Sequence, residues 1–237
     1  MKKVGLLVPK TNLTVEYELQ YLYNNHFFSI EDIAFYISKL DYKTSYKEDK
    51  TKFLNDLAND SNKKINDLEY IGVDYITFFC TSSSVLNSEI TINNNPFTAL
   101  LEEVIEKNIK KCLLITPYDD VVGTNIKVEL EKNGVLVCKN INLNLLNTAD
   151  YFDFGINKLK QFIIDNYKEE YENIIISCTN LPTLSIINEL ESLFNNNVIS
   201  SNSCLFNKIC NFFSLSKSFF FWAFFIFILI NNLFIFP

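Results

Sequence analysis

Two stretches of this chain repeat one another at long range, and the repeat limits the folds open to it. Asp74 to Cys80 reads DYITFFC and runs into TSSS, whereas Asn173 to Cys178 reads NIIISC and runs into TNLPT. Each is an apolar run of strand length that ends in a cysteine followed by a threonine. Upstream of each lies another short apolar run that ends in proline, Val4 to Pro9 (VGLLVP) and Cys112 to Pro117 (CLLITP). Self-similarity at this range marks a duplicated unit, in which each half runs strand–Pro early and strand–Cys–Thr late.

Between these runs the hydrophobic period becomes that of a helix. Lys52 to Ile71 carries Phe53, Leu57, Ile65 and Leu68 amid charge, with Gly72 as a stop. Phe97 to Lys107 is amphipathic, and Asp120 to Lys132 starts with acidic residues and has Gly134 beyond its end. Ile156 to Tyr167 and Thr183 to Phe194 also read as helices, the second with Pro182 near its first turn. Ile33 to Ile37 and Val135 to Ile141 read as further strands. Strands alternating with helices predict parallel sheets covered on both faces. The expected fold is α/β, with two pseudo-symmetric doubly wound parallel-sheet domains, residues 1–110 and 111–210, and the active site in the cleft between them. Ligands in such sheets sit beyond the carboxyl ends of the strands. Both strand–Cys–Thr segments end there, so Cys80 and Cys178 are expected to face one another across the cleft.

Charge and composition narrow the partners. The net charge is −7, which argues against nucleic acid, because neutralising phosphate needs a basic face. Every one of the 21 basic residues is a lysine. An anionic ligand must therefore be held without arginine forks, by backbone N–H groups, hydroxyls, amides or lysines. The six cysteines form no CxxC pair and His26 is the sole histidine, so neither a zinc site nor a disulfide framework is expected. The five glycines form no GxGxxG or GxxxxGK[ST] phosphate loop, and there is no GxSxG elbow. The apolar run in MKKVGLLVPKTN is too short for a signal peptide, and the body of the chain is expected to be cytoplasmic with reduced thiols.

The character changes after residue 210. Phe219 to Ile230 reads FFFWAFFIFILI, and ten of the 22 phenylalanines lie in this final, hydrophobic segment, residues 211–237. Three readings stay open: a marginal membrane anchor through residues 219–237, a segment buried in an oligomer, or an aberrant terminus fused to a truncated enzyme.

A cysteine at a strand end that precedes a helix has its thiolate stabilised by helix N–H groups, which lowers its pKa. The next residues along the chain, Thr81, Ser82, Ser83 and Ser84 after Cys80 and Thr179 and Asn180 after Cys178, are small hydrogen-bonding groups suited to carboxylates. Two thiols flanking a small dianion permit two chemistries. One thiolate can remove a proton from carbon while the other thiol returns one on the opposite face. Alternatively, a thiolate can add to an activated double bond, which then rotates as a single bond. Free cysteine also packs as a small hydrophobe, and that is the reading for Cys112, Cys138, Cys204 and Cys210. His26, in NNHFF, reads as a surface or packing residue.

The motifs together resemble a known family. VGLLVPKTNLTVEYEL resembles the opening GLIVPSSNTTVEPE of the maleate cis–trans isomerase and arylmalonate decarboxylase branch of the aspartate/glutamate racemase superfamily. FCTSSS is similar to its first cysteine motif CTSGS, ITPYDD to its TPY segment, and SCTNLPT followed by VISSNS to its SCTNLRT and SSNQ. The resemblance covers about residues 1–210 in order. It implies a doubly wound two-domain fold, a small dicarboxylate substrate, no metal or organic cofactor, and homo-oligomers. It also implies roles: Cys80 as the nucleophile on the maleate double bond, Cys178 as partner acid/base or stabiliser, and Asn12, Tyr118 and Asn147 as carboxylate contacts. Backbone groups near Ser82, Ser83 and Thr179 would complete the anion site. Asn12 and Asn147 can equally be helix caps, and Tyr118 a packed turn residue. The retention of both cysteines points away from the decarboxylase and leaves isomerase and amino-acid or hydantoin racemase open. Serine at Ser83 and Ser84, where glycine is usual, would strain a loop of positive φ. The closing helix of the family, expected after SSN, is replaced beyond about Cys210, which would uncover core surface.

Overall fold

The computed structural model describes residues 1–45, 47–86, 92–145 and 147–215. The Phe-rich segment and its three readings lie outside the described residues. The chain forms two sheets that share one topology. In the first, β1 (Lys2–Pro9) lies between β2 (Ile33–Leu40) and β3 (Tyr75–Phe78). In the second, β4 (Lys111–Thr116) lies between β5 (Leu136–Asn142) and β6 (Ile174–Ile176), and β7 (Val198–Ser200) extends the sheet beyond β6. Every pairing among the described residues is parallel. The order β2-β1-β3 matches β5-β4-β6 strand for strand, so the repeat seen in the sequence is a repeat of topology.

The central strands are covered on both faces, which is why they read as unbroken apolar runs. Val4, Leu6, Leu7 and Val8 of β1 and Cys112, Leu113, Leu114 and Ile115 of β4 are fully buried. The first half carries α1 (Thr14–Asn24), α2 (Lys50–Tyr70), α3 (Thr81–Leu86) and α4 (Pro96–Glu106). The second carries α5 (Asp120–Lys132), α6 (Thr148–Asp153), α7 (Ile156–Asn166), α8 (Leu184–Phe194) and α9 (Ser201–Phe212). Local chemistry sets their ends. The Asp49 and Asp119 side chains accept from the backbone N–H of Lys52 and Val122, and Asn95 with Thr98 boxes the start of α4, where Pro96 leads. Gly72 and Gly134 take φ of 71° and 84° just past α2 and α5, a conformation that costs other residues more.

Two expectations change. Ser83 and Ser84 lie within α3 and neither has a positive φ, so serine in place of glycine strains nothing there. The uncovered core surface expected from the altered terminus is not seen among the described residues: α9 runs to Phe212 and packs across onto α4 of the first half. Leu205, Phe206, Ile209 and Cys210 are buried, and the Phe206 ring lies 5.5 Å from Phe79, 6.1 Å from Phe35 and 6.3 Å from Phe28. Core surface of the first half is therefore covered by a helix that comes after the second sheet. Replacing Phe206 by Ala is expected to lower the unfolding free energy by about 3–5 kcal/mol. Ile105→Ala on the outer face of α4, where Ile105 is 72% exposed, should change it by no more than about 0.5 kcal/mol. Urea unfolding of the two variants measures the contrast, and equal losses would remove α9 from the core.

Candidate active site

The repeat places the two cysteines. Phe79 N donates to Leu7 O at 2.8 Å and Ser177 N donates to Ile115 O at 2.9 Å, so the residue before each cysteine is held in the same register against its central strand. Beyond that bond the chain leaves the sheet, and Cys80 and Cys178 emerge at the carboxyl ends of equivalent strands. Both line one cavity of about 340 Å³. Asn12, Ser82, Tyr118, Asn147, Thr179 and Asn180 line it with them. Thr81 and Ser83 do not. Both are buried in α3, where Thr81 Oγ1 donates to Ser201 Oγ at 3.1 Å and Ser83 Oγ lies 3.1 Å from Cys80 Sγ. Ser83 thus supports the thiol without reaching the cavity.

The two thiols have unlike surroundings. α3 begins at Thr81, directly after Cys80, and Cys80 Sγ also lies 3.6 Å from Ser82 Oγ. α8 begins only at Leu184, so Cys178 sits in a loop rather than at a helix start. Its sulfur accepts from Asn180 N at 3.3 Å and hydrogen-bonds the Tyr118 hydroxyl. These contacts favour a thiolate, but burial outweighs them and pushes the Cys178 thiol up to about 12. The expectation of a lowered pKa is overturned for this cysteine: near neutral pH it is a neutral thiol. Burial also holds the Tyr118 hydroxyl well above its ordinary value, so it keeps its proton as a donor. The charge of either thiolate is felt at Tyr118, which packs edge-on to Tyr151 with ring centroids 5.9 Å apart.

A donor and acceptor count shows which lining groups stay open to a ligand. Asn180 is committed to the protein: Oδ1 accepts from Leu13 N at 2.9 Å, and Nδ2 donates to Thr148 O at 2.7 Å and Thr11 O at 3.3 Å. Thr179 Oγ1 donates to Phe79 O at 3.1 Å and accepts from Asn12 Nδ2 at 3.3 Å. Asn12 does cap α1, its Oδ1 accepting from Thr14 N at 3.0 Å and Val15 N at 3.2 Å, yet one Nδ2 hydrogen is left over. Lys39 on β2 fixes that loop by donating to Asn12 O at 2.8 Å. Asn147 caps α6 with its N and Nδ2 both donating to Asp150 Oδ2, at 2.9 and 3.1 Å.

Sequence reasoning missed Lys47, Phe53 and Tyr151, which also line the cavity. Among the described residues Lys47 and Asp119 are the charged ones of the lining, and Asp119 is the cap of α5. Lys47 lies in the connection between β2 and α2, where no period or motif singles out a position. Cys112, Cys204 and Cys210 are buried away from the cavity, Cys138 is exposed on β5, and His26 lies elsewhere in a turn after α1. Among the described residues no group of three or more His, Cys, Asp or Glu could hold a metal ion, and no helix is long and apolar enough to cross a membrane. Brief alkylation with iodoacetamide near pH 8, mapped by mass spectrometry, is expected to label Cys138 and Cys80 while sparing Cys112, Cys204 and Cys210. Cys178 should lag far behind, because a thiol near 12 is ionised to only about one part in ten thousand at that pH. Labelling of Cys178 at the rate of Cys80 would contradict the asymmetry.

No protein-family model matches the sequence, and no curated protein is similar to it. Solved structures do match its fold. A variant of the maleate isomerase Iso from Pseudomonas putida S16, crystallised with maleate, aligns with a TM-score of 0.77 at 19% identity, over 90% of this chain and 92% of that one. A Nocardia farcinica maleate cis–trans isomerase mutant with a covalently bound succinylcysteine intermediate aligns with a TM-score of 0.75 at 16% identity, over 90% and 93%. Unliganded arylmalonate decarboxylase aligns with a TM-score of 0.66 at 17% identity, over 87% and 90%. The chain therefore has the two-domain parallel α/β fold of these proteins, the same groups whose motifs its sequence resembles.

Proposed function

We propose that this chain is a cofactor-independent cysteine isomerase that converts maleate, or a related cis-unsaturated dicarboxylate, to the trans isomer. One observation carries the reading: two thiols at equivalent strand ends line a single small cavity, and burial keeps Cys178 protonated. In the scheme, the Cys80 thiolate adds to one alkene carbon. A C–S bond forms, and the π pair moves to the neighbouring carbon and into its carboxylate. The former double bond is now single and rotates. The pair then returns, the C–S bond breaks, and the thiolate leaves the trans alkene. No electrons are gained or lost. The protonated Cys178 thiol and the Tyr118 hydroxyl are donors that can stabilise the transient negative charge.

The carboxylates need neutral donors in a chain without arginine. Asn12 Nδ2, Ser82 Oγ, Tyr118 Oη and the Asn147 amide are the candidates, with backbone N–H groups near Ser82, Ser83 and Thr179. Thr179 and Asn180 act through their ties to the first half rather than through free side-chain donors. The neighbouring structures with maleate and with a succinylcysteine intermediate support this substrate class and a covalent step. A proton-transfer racemase is the second reading, favoured by the same pair of thiols on one cavity.

Proton NMR of maleate in heavy water separates the two. The isomerase is expected to give fumarate without deuterium, and Cys80→Ala should lose the rate by at least about a thousand-fold. Maleate left unchanged by a protein whose Cys80 still alkylates rapidly would sink the isomerase reading. Deuterium entering the Cα position of an amino acid would favour the racemase instead.

A further inference from the structure

The connection between β2 and α2 is held by carboxylates. Asp41 Oδ1 accepts from Lys10 Nζ at 2.5 Å, and Asp41 N donates to Asp60 Oδ2 at 2.8 Å. Lys43 N donates to Asp56 Oδ2 at 3.1 Å. Glu48 Oε2 accepts from Ser45 N and Ser45 Oγ, both at 2.8 Å, and Asp49 Oδ1 accepts from Lys52 N at 3.0 Å. The path of the chain is thus set on either side of Lys47, to α2 through Asp56 and Asp60 and within the connection through Glu48. Lys47 itself is exposed and lines the cavity. Among the described residues it forms no ion pair, although Glu48 and Asp49 follow it in the chain. Asp119, the other charged residue described in the lining, is engaged as a cap, its Oδ1 accepting from Val122 N at 2.9 Å. The counterpart of this connection in the second half, between β5 and α6, brings Asn147 to the same cavity. One edge-strand connection therefore offers a cation and the other a neutral amide.

We propose that Lys47 is a substrate-binding residue: its ammonium pairs with one carboxylate of the bound dicarboxylate and leaves the other to the neutral donors. The assignment rests on the isomerase reading for the identity of the ligand. An ammonium in a connection whose carboxylates are engaged elsewhere is a cation still open to an anion, and the cavity is where a ligand would meet it. A lysine is a point charge with three donors, so it holds a carboxylate without fixing both of its oxygens. The pair forms when the substrate binds and persists while the double bond reacts. Its contribution is therefore the same before and during reaction, which lowers KM and leaves kcat as it is.

Maleate binding is measured by calorimetry on the full chain carrying Cys80→Ala, which lacks the nucleophile. Adding Lys47→Gln is expected to weaken binding about ten-fold at low salt. The gap should close at about 0.5 M salt, as the charge is screened. Lys47→Arg keeps the cation and should stay within about three-fold of the parent. Adding Lys43→Gln instead removes the same charge from the same connection, at a residue that does not line the cavity, and should change binding by no more than about two-fold. With Cys80 intact, K47Q should raise KM for maleate about ten-fold and leave kcat within about two-fold. Equal losses from K47Q and K43Q, a K47Q protein that binds maleate as tightly as its parent, or a Cys80→Ala protein that binds no maleate would each overturn the proposal. Maleate held through Lys47 but left unchanged by wild type would uphold Lys47 and count against the isomerase. Fumarate formed with a KM indifferent to K47Q would uphold the isomerase and overturn Lys47.

Discussion

The cleft depends on a short run of chain, Cys178–Thr179–Asn180, that belongs to one half and is bonded to the other. Thr179 donates to Phe79 O, the residue before Cys80, and Asn180 receives Leu13 N at the entry to α1 while reaching Thr11 O. Each bond is worth about 0.5–1.5 kcal/mol net, but breaking one in a buried site leaves an orphan group at about 1–3 kcal/mol. The bonds therefore act less as glue than as a specification. Other arrangements of the two halves strand polar atoms, so the relative position of Cys80 and Cys178 is set. Helix α9 adds the apolar part by leaving the second sheet and burying Phe206 among Phe28, Phe35 and Phe79 of the first half.

Within this repeat the two cysteines become different. Symmetry of the strands gives them the same register, but the chain takes a different path after each one. Thr81 starts a helix at once and leaves Cys80 beside two serine hydroxyls. Pro182 lies in the loop after Cys178, which is deeper, bonded to Tyr118 and protonated by the cost of burying charge. A duplicated fold thus yields two thiols in unlike surroundings, one at a helix start beside two serine hydroxyls and one buried and held as a neutral thiol.

The central strands of the two sheets were legible because buried parallel strands leave unbroken apolar runs, and the second copy of the repeat supported the first, whereas the three-residue β7 was not read as a strand. Helix ends were legible where caps are chemical: Asp120–Lys132 matched α5 to the residue because Asp119 and Gly134 flank it. Other facts were hidden. The apolar runs at Asp74–Cys80 and Asn173–Cys178 overstate β3 and β6, since pairing stops before the apolar residues do. The depth of Cys178 depends on covering elements far away in sequence, so no local pattern gives its ionisation. Thr81 and Ser83 look like cavity residues in a string of hydroxyls, yet helical geometry turns them into the fold. Lys47 carries no periodic signal because only the path of its loop brings it to the cavity.

The absence of arginine now has a structural counterpart. Guanidinium forks hold carboxylates strongly and fix both oxygens. In the isomerisation proposed above, which rotates one carboxylate past the other, two such clamps would serve poorly, because the contact must be released or turned during rotation. On that proposal, neutral donors of modest strength, such as the spare Asn12 N–H, the Ser82 hydroxyl and the Asn147 amide, would hold a dianion less tightly and let one end swing. Among the described residues Lys47 is the cation of the lining, and a lysine supplies charge without a fixed geometry, since its ammonium turns about its stem. The overall charge of −7 leaves little general attraction for a dianion. On the proposed reading, recognition comes from the cavity itself, where neutral donors and, among the described residues, Lys47 meet two thiols in unlike surroundings.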